Sequence, residues 1–98
     1  EGRQAYAETG FGEQLAMHHQ GGSCGYLPRE IKAAPDETTA VLADQAFAWN
    51  PSITGSKCED TILCRADGCE ILTHTGRWPT IKVEWDGHVL QRPDILVL

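Results

Sequence analysis

The sequence predicts an α+β domain in which one N-terminal helix packs on a twisted antiparallel sheet of four to six strands, clamped by two disulfides. Three observations lead there. Residues 60–90 alternate short aliphatic and β-branched runs with turn signals at 65–68, 76–79 and Asp86-Gly87, the punctuation of an antiparallel meander. Residues 11–20 place Phe11, Leu15, His18 and His19 at helical spacing ahead of Gly21-Gly22, a pair suited to close a helix in the left-handed conformation. Four cysteines in 98 residues, Cys24, Cys58, Cys64 and Cys69, suit two bridges.

Taken in order, residues 1–10 are polar without a clear period and are expected as a mobile arm or a first irregular strand. The helix follows over 11–20, then a loop around Cys24, then a short strand over 29–34 bounded by Pro28 and Pro35. Residues 41–49 read two ways. As a helix they gather Val41, Leu42, Gln45, Ala46 and Trp49 on one side; as a strand they set Val41, Ala43, Gln45, Phe47 and Trp49 on one face. Residues 50–58, with Pro51 and Gly55, are expected to be a loop.

The turns fix two registers. Asp86-Gly87 suits a two-residue hairpin with positive φ at both positions, which sets Trp85 opposite His88, Glu84 opposite Val89 and Val83 opposite Leu90. Ile81, Val83, Trp85, His88 and Leu90 then share an apolar face, and Lys82, Glu84 and Gln91 a wet one. A loop at 65–68 sets Cys64 opposite Cys69, Ile62 opposite Ile71 and Asp60 opposite Thr73. Beyond Pro93-Asp94, residues 95–98 form an edge strand or a tail.

Length allows a single domain over 1–98 with one modest core. The longest apolar runs, 46–49 and 95–98 among them, are far below the roughly 20 residues of a membrane span, so no membrane partner is expected. Net charge is −6, with nine acids to four bases over 1–60 and five to four over 61–98. Such a balance speaks against DNA and against general nucleic-acid binding, which rests on phosphate neutralisation. RNA contact would have to be local, near Arg65, Arg77, Lys82 or Arg92.

The cysteine gaps do not fit zinc knuckles, so no metal or other cofactor is expected. Cys64 with Cys69 and Cys24 with Cys58 is the favoured pairing, because cross-strand non-hydrogen-bonded pairs come near disulfide range. An oxidising compartment, secreted or periplasmic, follows as an expectation, and a start at Glu1 rather than Met fits a mature chain.

His74 is the residue singled out for chemistry. It lies in Ile71-Leu-Thr-His-Thr-Gly76, at a strand end where a side chain reaches a cleft rather than the core. This segment resembles the Ile-Thr-His-Thr-Gly segment of the fungal guanyl-specific ribonucleases, in which the histidine is the general acid of RNA cleavage. Asp60-Thr-Ile-Leu-Cys64 looks like the strand before that segment, Phe47-Ala-Trp-Asn-Pro51 like the strand end before that, and the spacing is also similar to that of barnase-type ribonucleases. The resemblance spans 47–76 and implies an early helix followed by an antiparallel sheet, which favours strand for 41–49. The departures are specific. Ala48 stands where the family pattern implies the glutamate base and Thr61 where it implies the arginine, and the reaction needs base, acid and cation together. The chain therefore resembles the non-catalytic ribonuclease-like effectors of plant-pathogenic fungi.

Two classes of function follow. One is a small secreted binding protein, effector-like or inhibitor-like, that meets a protein partner through His74, Arg77 and Trp78; Arg and Trp are the side chains that most often anchor interfaces. The other is a small ribonuclease using His74, which requires a carboxylate and a cation beside it once the chain is folded. Trp49 and Trp85 are expected in the core, and His18-His19 at a solvated helix end. None of Glu13, Asp44 or Asp60 is paired with His74 by spacing.

Overall fold

The computed structural model describes residues 2–98 and is mostly sheet. Among the described residues there are nine strands: β1 (Gly21–Cys24), β2 (Ile31–Lys32), β3 (Ala46–Trp49), β4 (Ser52–Ile53), β5 (Ser56–Lys57), β6 (Asp60–Arg65), β7 (Gly68–Ile71), β8 (Thr80–Trp85) and β9 (His88–Pro93). They divide into a five-stranded antiparallel sheet of order β2-β1-β3-β6-β7 and two separate hairpins, β4-β5 and β8-β9. The α+β expectation is thereby corrected. The single α-helix, α1, covers only Gly2–Glu8, in the stretch expected to be an arm or irregular strand. The helix expected over 11–20 is a 3₁₀ segment, Gly12–Met17, that ends where His18 turns extended.

α1 does not lie across the large sheet. Its Tyr6 is buried, and the Tyr6 hydroxyl both donates to the Ser52 carbonyl and accepts from the Ser52 N–H, each at 2.8 Å. The helix is thus clipped to the β4-β5 hairpin, and the Thr54 N–H reinforces this corner by donating to Gln14 Oε1 at 2.6 Å.

The Phe-x-Trp alternation decides 46–49 as strand. Phe47 and Trp49 lie on one face of β3 with their rings 6.2 Å apart and 9° from parallel. Phe47 pairs with Ile62, which pairs with Ile71, so one apolar row crosses three strands. On the other face Ala48 is buried between Gly22 of β1 and Thr61 of β6. Gly22 is required there: its φ is +157°, and a Cβ would run into the Ile31 carbonyl oxygen of β2.

Both predicted hairpin registers appear. Cys64 pairs with Cys69 and Ile62 with Ile71; Trp85 pairs with His88, Glu84 with Val89 and Val83 with Leu90. Asp86 and Gly87 have φ of 48° and 78°, the signs a type I′ turn demands. The meander nevertheless breaks after β7, and β8-β9 is not part of the large sheet. Its apolar face stays open: Trp85 is 56% and Ile81 46% exposed. Trp49 and Trp85 are both exposed, against the expectation that they fill the core; the only hydrophobic core residues that are buried among those described are Tyr6 and Ala48.

All four cysteines are free, which overturns the two-disulfide expectation. Register brings Cys64 and Cys69 opposite each other, but the Cys64 thiol turns to the Arg65 carbonyl at 3.8 Å. Cys24 and Cys58 instead each face a guanidinium, from Arg29 at 3.8 Å and Arg92 at 3.5 Å. Free thiols point away from an oxidising compartment, so the secreted or periplasmic expectation falls with the bridges. Among the described residues, no helix is long and apolar enough to cross a membrane.

One ion pair fastens the β8-β9 hairpin to the large sheet. Arg92 Nη1 of β9 lies 2.6 Å from Asp60 Oδ2 at the start of β6, where the Asp60 side chain is 8% exposed and that of Arg92 27%. The approach is off the N–H line, so this is a charge contact rather than an aligned hydrogen bond. Removing one member leaves the other charge buried. Arg92→Met should therefore lower the unfolding free energy by about 3 kcal/mol, the low end for a buried pair since Arg92 retains some solvent. A denaturation midpoint within error of wild type would show that the hairpin is held by something else.

Candidate functional site

The site around His74 is a loop suspended between β7 and β8, and its geometry is set by side chain to backbone hydrogen bonds. After β7 the chain stays alongside β6 for one more residue, Leu72 N–H donating to the Thr61 carbonyl at 2.8 Å. The Thr73 hydroxyl then donates to Asp60 Oδ1 at 2.5 Å and accepts from the Thr61 N–H at 3.3 Å. Asp60 opposite Thr73 is thus realised as a direct bond.

His74 follows, exposed, with its Nδ1 accepting from the Gly76 N–H at 3.3 Å. That contact places the proton of the neutral imidazole on Nε2. The loop reverses at Gly76, whose φ of 71° suits glycine. Thr75 Oγ1 accepts from the N–H groups of Arg77 and Trp78, at 3.3 and 3.1 Å, closing a tight turn. The Trp78 indole N–H donates to the Asp94 carbonyl at 2.8 Å, and Asp94 N–H donates back to the Pro79 carbonyl at 2.9 Å. Trp78 is therefore fixed in orientation while 48% exposed.

His74 and Trp78 line a cleft of about 170 Å³ together with Glu59, Asp60, Thr73 and Gln91. Arg77 does not line it; its side chain makes no ion pair or hydrogen bond among the described residues. The three residues singled out in the sequence thus divide into a histidine and a tryptophan at the cleft and an unengaged guanidinium beside it.

Sequence reasoning missed Glu59 and Arg92 as neighbours of this loop. A usable signal existed for Asp60, since the hairpin register set it opposite Thr73, one residue before His74. Arg92 had no such signal, because its approach depends on how β8-β9 docks. Both oxygens of Asp60 are already engaged, by Thr73 and Arg92. Glu59 is engaged as well, by Lys57 at 2.6 Å and Arg29 at 3.2 Å. The Lys57 ammonium, with Arg29 behind it, holds the Glu59 carboxyl below its ordinary range. The two carboxylates lining the cleft are therefore already paired with cations outside it, and no cluster of three or more His, Cys, Asp or Glu side chains among the described residues is placed to hold a metal ion.

A second histidine site was unexpected. His18 and His19 stack, ring centroids 4.7 Å apart and 22° from parallel, because the chain turns extended at His18 instead of continuing as a helix. Burial, then the neighbouring charges of His18, Lys32 and Arg29, push the His19 pKa below its ordinary 6.5, with Glu59 opposing.

Comparison with protein-family models, with curated proteins and with solved structures finds no match to this chain.

The His19 shift carries a pH dependence whose sign is fixed. A folded-state pKa below the unfolded 6.5 means that the unfolded chain takes up the proton first, so stability falls as pH drops below 6.5. His19→Asn should flatten the melting temperature over that window while leaving it unchanged near pH 7.5. Equal slopes for the two proteins would remove His19 as the cause.

Proposed function

We propose that this chain is a non-enzymatic binding protein that seats a protein partner on the 73–79 loop, with Trp78 and Arg77 as anchors. The observation that carries the reading is the state of Trp78. Its indole N–H is satisfied by the Asp94 carbonyl while half of its surface faces solvent, so the ring is held in place before any partner arrives. An aromatic side chain fixed in this way loses little conformational freedom on binding, and Trp and Arg dominate interface energetics. Arg77, whose side chain has no partner among the described residues, supplies a planar donor fork beside it.

Two further features support binding over catalysis. Ala48 and Thr61, where the resemblance to guanyl-specific ribonucleases implies base and cation, stand opposite each other across β3 and β6, so both groups are missing from one patch. The carboxylates near His74 are committed to Thr73, Arg92, Lys57 and Arg29.

A ribonuclease reading retains one favouring observation: Glu59 and Asp60 line the same cleft as His74, which sequence spacing did not suggest. In it, His74 Nε2–H would protonate the leaving oxygen and Glu59 would deprotonate the ribose 2′-hydroxyl, after release from Lys57.

One pair of measurements separates the two. With a fluorogenic RNA at low salt and pH 5 to 8, the wild type should show no turnover; turnover that disappears in His74→Ala would sink the binding-only reading. In parallel, a protein retained by the immobilised wild type should bind Trp78→Ala about thirtyfold more weakly, as expected for an anchoring tryptophan. Equal retention by Trp78→Ala and Arg77→Ala, with circular dichroism unchanged, would remove the loop as the binding surface.

A further inference from the structure

The chain exposes much more surface than its size requires. Its accessible area is 7645 Å², whereas a compact monomer of this mass exposes about 5,500 Å². The Cα radius of gyration is 14.2 Å, against about 12.6 Å for a compact chain of this length. The surplus, about 2,100 Å², matches what one subunit contributes to a large obligate interface, about 1,000 to 2,500 Å².

Part of that surplus lies on β8-β9. The backbones of the two strands run close to each other and to no other helix or strand. The side-chain tie to the body comes from β9, where Arg92 meets Asp60 and Cys58, while the other edge of β8 pairs with no strand. β8 contains no proline and no bulge interrupts its pairing over six residues, conditions under which an open edge invites another strand.

Which backbone groups point outward is fixed by alternation. Asp94 N–H bonds to the Pro79 carbonyl, so the 79/94 pair is of the hydrogen-bonded type. In an antiparallel ladder this type recurs at every second pair, which makes 81/92, 83/90 and 85/88 inward bonded pairs. The N–H and C=O groups of Lys82 and Glu84 therefore point outward, along the free edge.

We propose that two copies of this chain pair antiparallel through β8, about a two-fold axis at Val83. An antiparallel pairing of a strand with itself is isologous, and outward groups must meet outward groups, so the axis must fall on a residue rather than between two. An axis at Lys82 or Glu84 sets like charges directly opposite. An axis at Val83 sets Lys82 opposite Glu84 of the second copy, twice, on the wet face. On the apolar face it sets Ile81 opposite Trp85 of the second copy, twice, with the two Val83 side chains meeting at the axis. Opposite charges and aromatic to β-branched pairs are the favourable cross-strand combinations, and this one register supplies both. The charge balance permits it, since 61–98 carries a net charge of only −1 out of −6. The result is a four-stranded sheet, β9-β8-β8-β9, with one continuous apolar face. This surface is separate from the 73–79 loop.

The test uses the full chain and two charge reversals. Lys82→Glu and Glu84→Lys face only the uncharged Gln91 and Val89 within their own hairpin, so neither disturbs the protomer. Sedimentation equilibrium should give a concentration-dependent monomer–dimer equilibrium for wild type, and each reversal should weaken it about tenfold or more, because both axis-related pairs become repulsive. Mixing the two variants restores opposite charges at both pairs, so the mixture should regain the wild-type dimer. A wild type that is monomeric up to high micromolar concentration would overturn the proposal. Dimers indifferent to the reversals, or a mixture no stronger than its parts, would do so equally, and would place any partner of β8 elsewhere than on a second copy in this register.

Discussion

The contact between Arg92 and Asp60 is what makes this chain one body rather than a sheet with a hairpin beside it. β8-β9 offers the large sheet no strand pairing, and its apolar face is not closed by anything in the structure. What it does offer is a guanidinium delivered to a carboxylate that the large sheet has already buried. The same carboxylate accepts from Thr73, so one aspartate positions both the hairpin and the start of the 73–79 loop. Trp78 is held from the other side by Asp94, just beyond β9. Loop and hairpin are thus placed relative to each other by a few polar contacts.

This economy of polar contacts follows from the scarcity of apolar ones. β1 contributes two glycines to the sheet and β3 two alanines, so the centre of the sheet is thin. Close approach of backbones replaces bulk there. The larger apolar side chains, Phe47, Trp49, Ile62 and Ile71, form one row on one face, and no helix is long enough to cover it.

The local structure was legible in the sequence wherever a turn residue dictated geometry. Asp86-Gly87 fixed the hairpin register because positive φ at both positions is affordable only to such residues, and the pairing of Cys64 with Cys69 followed in the same way. Elements without a strong local signal were misread. Residues 2–8 carry helix formers but little apolar pattern, and their helix is anchored by a long-range hydroxyl contact from Tyr6 to Ser52, 46 positions away. Histidine spacing over 11–20 mimicked an α-helix, although the segment is a 3₁₀ turn that His18 leaves extended. The cysteines misled because count and register constrain only where thiols sit, not where they point. At the candidate site, His74 and Trp78 were legible as loop residues, Asp60 was legible through register, and Arg92 was not, since a docking contact between two hairpins has no sequence period.

The strand order β2-β1-β3-β6-β7 has a consequence for how the chain assembles. The β6-β7 and β8-β9 hairpins close through two-residue loops and can form on the microsecond scale of isolated hairpins. β1 and β3 must instead meet across the long intervening segment 25–45, with glycines that favour many other conformations. The seam between β1 and β3 is therefore the late step of folding, and in native-state hydrogen exchange its amides should report the global opening of the molecule.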